Sequence, residues 1–422
     1  MSGQKLSGKA FVISKQEVAE AWQKVKARQG APGADGVTLG EFESDLKNNL
    51  YRIWNRMSSG TYFPPPVKAV EIPKPHGGGT RMLGVPTIAD RIAQTVAARR
   101  LEEKAEPVFH PGSWGYRPGR AALDAVAACR ENCWRYDWVI DLDIQAFFDS
   151  VPWDLVLKAV RHHTDEKTRW VVLYVQRWLA APLALPDGTL RQRDRGTPQG
   201  SAISPMLANL FLHYAFDAWM AREYPGLRFE RYADDVVVHC ASLEQAQRVL
   251  AAIGARMQQV GLRLHPAKTQ IVYCQDSNRR GSHERTAFTF LGFTFRARRA
   301  KGRNGRSFTA FLPALSKDAL NKISARVRDW RLHRRTSATL EDLARLVNPV
   351  VRGWMQYYGQ FYRSALYRLL QRINTYLVRW LRNKYKRLRK GSKAQQALQG
   401  AAQRHPWLLA HWTWVTTASA AW

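Results

Sequence analysis

Past Asp342 the chain has no acidic residue: its last 80 positions carry 14 Lys and Arg and not one Asp or Glu. Solvated protein faces ordinarily mix both signs, so an absence this long argues against a plain surface and for a polyanionic partner. Cysteine is scarce. Cys129, Cys133, Cys240 and Cys274 form no C-x-x-C pair and have no His pair at zinc spacing, which argues against a structural zinc site. Long apolar runs are missing. The N-terminal MSGQKLSGKAFVISKQ has no uninterrupted apolar stretch of the kind a secretory signal needs, and no segment reaches the length of a membrane span. With thiols free and scattered, these absences predict a cytoplasmic protein without a membrane partner.

What is present points the same way. The 65 Lys and Arg outnumber the 34 Asp and Glu, leaving a net charge of +31. A field of that size attracts nucleic acid, the common polyanion met by such proteins. At 422 residues and 45% apolar, the chain is long enough for two or three domains and apolar enough to fold.

Patterning predicts an amphipathic helix over 15–28, a Gly/Pro loop over 29–37 and a second helix to about Met57. Short strands at 67–73 and 80–85 flank a glycine turn, which reads as a hairpin. A helix follows over 88–104. Trp138 to Asp143 is a compact strand that runs into carboxylates. Residues 229–240 read as a second hairpin, and a helix covers about 243–260. Residues 297–307, rich in Arg, Lys and Gly, read as a linker to a basic helical module. Helices mixed with non-adjacent strands indicate an α+β or mixed α/β architecture, of which α+β is the expected class.

Two acidic segments carry the chemistry. Tyr232-Ala-Asp-Asp235 sets adjacent carboxylates in a short turn between apolar strands, an arrangement that is costly without a cation. Asp141, Asp143 and Asp149 lie at the end of the earlier strand, and period-two alternation puts Asp141 and Asp143 on one face without choosing between them. Strand transfer of phosphoryl groups uses two metal ions about 4 Å apart, and oxygen ligands from separate segments suit magnesium.

Asp143-x-x-x-Phe147 together with Tyr232-Ala-Asp-Asp235 resembles the palm of a reverse transcriptase. Arg195-Gly-Thr-Pro-Gln-Gly-Ser-Ala-Ile-Ser-Pro205, Gly261-Leu-Arg-Leu-His-Pro-Ala-Lys-Thr269 and Phe290-Leu-Gly-Phe293 resemble further blocks of that family, in its order. Gly30 to Val37, Ile72-Pro-Lys-Pro, Arg81 to Pro86 and Asn348-Pro-Val-Val-Arg-Gly-Trp354 with Tyr357-Tyr358 narrow the resemblance to the reverse transcriptase/maturases of bacterial group II introns.

That resemblance implies a right-hand polymerase fold. Residues 1–65 would form an N-terminal extension and the start of the fingers, 66–300 the fingers and palm, 301–390 a helical thumb/maturase domain, and 391–422 a basic, Trp-containing tail that binds DNA or RNA. It assigns two Mg2+ ions to Asp143, Asp234 and Asp235 with help from the Ile144 carbonyl. Phe147 would lie under the sugar of the incoming dNTP and exclude a 2′ hydroxyl, with Phe148 better suited to the core. Gln199 and Gly200 would abut the nascent pair. Lys74 and Arg81 would grip the triphosphate, and Lys268 would protonate the departing pyrophosphate, an ordinary exposed lysine being the alternative there.

The basic module has its own pattern. At about 100° per residue, Leu366, Leu370, Ile373, Leu377, Trp380, Leu381 and Leu388 share one face of a helix over 364–389. Arg368, Arg372, Arg379, Arg382, Lys386 and Arg389 occupy the opposite face, read as a phosphate-tracking surface. Trp407, Trp412, Trp414 and Trp422 either stack on bases or pack the tail.

The expected function is RNA-directed DNA synthesis, with an RNA template, a DNA or RNA primer, group II intron RNA and target DNA as partners. A domesticated enzyme of a defence or CRISPR-associated system, and an RNA-binding maturase without polymerase activity, are the alternatives. No HNH nuclease with paired Cys and His is seen, so priming is expected to rely on existing nicks or replication ends.

Overall fold

The computed structural model describes residues 9–73, 79–279, 281–302 and 305–415. Among the described residues, eleven strands form three sheets. β1 (Val67–Pro73), β2 (Thr80–Val85), β4 (Leu183–Ala184) and β5 (Leu190–Arg191) make one sheet in the order β2-β1-β4-β5. A second, in the order β6-β7-β3-β8, consists of β6 (Arg228–Tyr232), β7 (Asp235–Cys240), β3 (Trp138–Asp143) and β8 (Gln270–Tyr273). The third, β11-β10-β9, comprises β9 (Ala287–Phe290), β10 (Phe293–Lys301) and β11 (Ser307–Leu315).

The chain divides into two compact units. The first is residues 1–125 with 140–270, and the second is 126–139 with 271–422. This division falls at 270–271, whereas the expected boundary lay at 300. The predicted linker over 297–307 is instead the end of a hairpin, with β10 and β11 paired antiparallel from Phe293↔Leu315 to Lys301↔Ser307. Its Arg- and Lys-rich composition reflects strand ends whose side chains are largely solvated, not an absence of pairing.

In the first unit, capping chemistry sets the early helices. Ser14 and Glu17 form a reciprocal capping box for Lys15–Ala27, and Thr38 with Glu41 does the same for Leu39–Ser44. The second predicted helix is interrupted at Asp45, whose backbone leaves the helical region before Leu46–Ser58 begins. Trp22, Met57, Trp170, Tyr174, Phe147 and Phe216 are among its fully buried side chains, each contributing roughly 1.5–3 kcal/mol of apolar burial.

The second unit is built on one helical core. Lys317–Asp329, Leu340–Tyr358 and Ser364–Lys384 bury Ile323, Val347, Leu366, Ile373, Leu377 and Trp380 together. Thr339 and Asp342 form a reciprocal capping box for Leu340–Tyr358. The helix Gly391–Arg404 and the turn Ala410–Thr413 close the same core through Ala394, Leu398, Leu409 and Trp412. Residues of the 391–415 segment thus pack into the same core as the three helices.

Candidate active site

The acidic pair of the sequence sits at a two-residue hairpin turn. Tyr232 pairs with Asp235, leaving Ala233 and Asp234 as the loop. Ala233 has φ of 58°, the positive value that the tightest hairpin turns demand at their first central position. Asp234 is held where burial and the Asp143 charge both push its carboxyl up. Arg231 and Lys268 oppose that shift. β3 and the β6–β7 turn therefore place Asp143 and Asp234 within electrostatic reach of one another. Asp235 begins β7 beside them.

Asp143 and Asp141 separate by environment. The Asp141 carboxylate accepts from the Gln270 amide at 2.9 Å, and burial raises its pKa to about 6. The Asp143 carboxylate is more open and lies 3.3 Å from the Lys268 ammonium. Its backbone is pinned by the segment after the hairpin: the amide of His265 donates to the Asp143 carbonyl at 2.8 Å, and the amide of Gln145 donates to the Arg263 carbonyl at 2.8 Å. Ile144 faces Leu264 between those two bonds, so its carbonyl is not spent in the ladder. The donor set is all oxygen, crowded with like charge and partly desolvated, which is the chemistry of a hard divalent cation site.

A feature that patterning missed lies behind the turn. Arg231 is fully buried and uses all five of its N–H donors. Its Nε and one Nη hold Asp217 at 2.7 and 2.5 Å. The remaining donors go to Asn209 at 3.0 Å, Ser113 at 2.8 Å and the carbonyl of Ala233 at 3.1 Å. Asn209 also donates to the Gly115 carbonyl at 2.5 Å. A Cβ on Gly115 would meet the Ala233 nitrogen at 2.6 Å, so only glycine lets that loop approach the turn. The next residue, Tyr116, has its hydroxyl pushed up by burial and by the Asp234 charge. One signal for this was present: an arginine in the hairpin strand immediately before Tyr232.

The loop over 195–205 links the other predicted residues. The Thr197 amide donates to the Phe148 carbonyl at 2.7 Å, and the Gly84 amide on β2 donates to the Gln199 carbonyl at 2.8 Å. Gly200 has φ of 108°, and a Cβ there would lie 2.9 Å from the Gly84 carbonyl. The close approach that glycine permits is to β2, which also carries the exposed Arg81 opposite Ile72. Lys74 lies outside the described residues.

Phe147 and Phe148 exchange the environments expected for them. Ala146 takes a left-handed conformation, φ 46°, and the short helix Phe147–Ser150 turns its first residue inward. Phe147 is 2% exposed, 5.3 Å from Phe148 and 6.3 Å from Phe211 between ring centroids, whereas Phe148 is partly exposed.

In the second unit, Arg368, Arg372, Arg379 and Arg382 are exposed on the helix Ser364–Lys384, and the predicted apolar face is buried. The helix does not reach 389. Tyr385 adopts extended angles, and Lys386–Leu388 form a separate turn, so Lys386 and Arg389 leave the face assigned to them. Arg382 bends back to donate to the Arg389 carbonyl at 2.9 Å. Of the tail tryptophans, Trp412 is buried and donates to Asn374 at 3.0 Å, Trp414 is partly buried and Trp407 is exposed. Trp422 lies outside the described residues. No described helix is long and apolar enough to cross a membrane.

Residues 72–295 match the family described as "Reverse transcriptase (RNA-dependent DNA polymerase)", and residues 320–398 match "Group II intron, maturase-specific domain". Protein YkfC of Escherichia coli is 29% identical over 326 residues, covering 67% of this chain and 81% of that one. Group II intron-encoded protein LtrA of Lactococcus lactis is 28% identical over 193 residues, covering 46% of this chain and 32% of LtrA. Among solved structures, telomerase from Candida albicans aligns over 87% of this chain and 68% of that one, at 11% identity and a TM-score of 0.46.

Proposed function

Because the chain belongs to the reverse transcriptase (RNA-dependent DNA polymerase) family and carries a group II intron maturase-specific domain, we propose that it copies RNA into DNA and binds intron RNA. The observation that carries this reading is the meeting of Asp143, Asp234 and Lys268 beside one hairpin turn, with Asp235 adjoining.

Asp143, Asp234, Asp235 and the Ile144 carbonyl would hold two Mg2+ ions, which when bound activate the primer 3′ hydroxyl and offset charge on the leaving pyrophosphate. The protein's own part is positional. The Arg231 network fixes the turn, and the Asp143 backbone is anchored to residues 263–269. Lys268, whose ammonium lies 3.3 Å from the Asp143 carboxylate, would be the proton donor to pyrophosphate in this reading. Arg81 and Lys74 meet the triphosphate by charge-assisted hydrogen bonds. Gln199 and Gly200 border the nascent pair, and the Phe147–Phe148 pair excludes the 2′ hydroxyl. The exposed arginines of Ser364–Lys384 track RNA phosphates.

Primer extension on an RNA template with magnesium and dNTPs, comparing the native chain with Asp234→Asn, tests this. The variant is expected to lose activity by roughly three orders of magnitude, the rate equivalent of several kcal/mol of charge stabilisation, while keeping its RNA affinity. Extension by neither protein, with tight RNA binding retained, would leave only the splicing role.

A further inference from the structure

The second unit contains a cleft of about 440 Å³ with an unusual lining. Arg352 and Gln356 come from the helix Leu340–Tyr358, Gln360 and Arg363 from the segment beyond it, and Trp407 and Trp414 from the end of the chain. No acidic residue lines it. Neither arginine forms an ion pair among the described residues.

The two tryptophans are treated differently. Trp414 is packed: a Cβ on Gly359 would collide with its ring, and the Arg363 guanidinium sits 5.0 Å from its centroid. Trp407 is 77% exposed and also borders a second cleft, lined by Arg404 and His405 together with Glu341. Leaving so much indole in water forgoes the burial energy that Trp412, five residues on, obtains in the core. An exposed indole, side-chain amides and guanidinium groups without carboxylate partners together match an unpaired nucleotide: a π-face for the base, amides for its edge, cations for its phosphates. The volume suits one nucleotide rather than a duplex.

We propose that this cleft binds an unpaired nucleotide of RNA by stacking its base on Trp407, with Arg352 and Arg363 on the flanking phosphates. The choice of RNA rests on the maturase reading above; the stacking does not.

The test uses the full chain and two 12-nucleotide ribose probes, oligouridylate and an abasic ribose-phosphate oligomer of equal charge, with oligothymidylate DNA of the same length beside them. Trp407→Ala should weaken oligouridylate binding roughly 5- to 150-fold, the range of base–aromatic stacking, and leave abasic binding unchanged. Trp407→Phe should restore most of the loss. Arg352→Ala should weaken both oligomers and reduce the salt slope by about 0.7. Equal affinity of Trp407→Ala and native protein for oligouridylate would overturn the proposal, as would equal losses on both probes. A loss confined to oligothymidylate DNA would overturn the assignment to RNA. Primer extension run in parallel keeps the two readings apart: inactivity of the native chain would remove the polymerase reading, while the stacking result would stand.

Discussion

Arg231 donates a hydrogen bond of 3.1 Å to the carbonyl of Ala233, two residues along the same chain, and so grips from behind the turn that presents Asp234. The guanidinium can do this because Asp217 neutralises it at 2.5 Å in a site closed to water. A buried ion pair of this kind adds little net stability, but breaking it by removing one partner is costly.

Replacing Arg231 with Met should therefore leave Asp217 charged and unpaired, destabilising the first unit by about 3–5 kcal/mol. Arg231→Lys keeps the charge but not the five-donor fork, and should preserve folding while lowering primer extension. Denaturant unfolding beside extension rates at equal folded fraction checks this. Full activity per folded molecule in the lysine variant would reduce Arg231 to a stabilising role.

The two rings proposed to exclude the 2′ hydroxyl differ in burial. Phe148→Val should raise ribonucleotide incorporation with a modest change in stability, since that ring is partly exposed. Phe147→Val removes a ring that is 2% exposed and should cost about 1–3 kcal/mol of folding whatever its effect on the sugar. Comparing dNTP and rNTP incorporation in both variants decides which ring faces the 2′ position. If only Phe147→Val admits ribonucleotides, the gate acts through the buried ring.

On the basic helix, replacing Arg368, Arg372 and Arg379 with Ala should weaken RNA binding and flatten its dependence on log salt by about 0.7–0.9 for each phosphate no longer neutralised. These three are exposed cations that stay on one unbroken helix. Lys386 and Arg389, beyond the break at Tyr385, should contribute separately. An unchanged salt slope in the triple variant would take this face out of the RNA interface.

The two units should respond to pH with opposite sign. Burial raises the Asp90 carboxyl to about 7, even though the Tyr62 hydroxyl and Trp178 indole donate to it at 2.9 and 2.8 Å. The folded group holds a proton that the unfolded one has lost, so its contribution is complete below about pH 4 and disappears as pH rises through 7. In the second unit, burial lowers His411 to about 3. The unfolded histidine takes up a proton from about pH 6.5 downward, so this unit should lose about 2 kcal/mol by pH 5. Hydrogen exchange followed separately in each unit at pH 5 and 7.5 reads both slopes. His411→Gln should abolish the second; an unaltered slope would place the proton elsewhere.

Local order determined much of this protein. The run from β3 into Asp143, the Tyr232–Asp235 pairing and the opposed faces of 366–382 were legible because period-two and 3.6-residue patterns depend only on neighbours along the chain. Charge balance alone pointed to nucleic acid. Tertiary structure decided what distant segments do to each other. Asp141 and Asp143 are equivalent by alternation, and only Gln270 and Lys268, some 125 residues later, tell them apart. The ring of Phe147 turns inward because Ala146 adopts a left-handed angle that no pattern announces. Helix spacing continues to 389 in the sequence, yet extended angles at Tyr385 end the helix. Trp412 and Trp407 look alike in sequence; Asn374 buries one, and nothing in the described structure covers the other. Spacing specifies which face a residue shares, but burial and pairing are set by what the rest of the chain brings to that face.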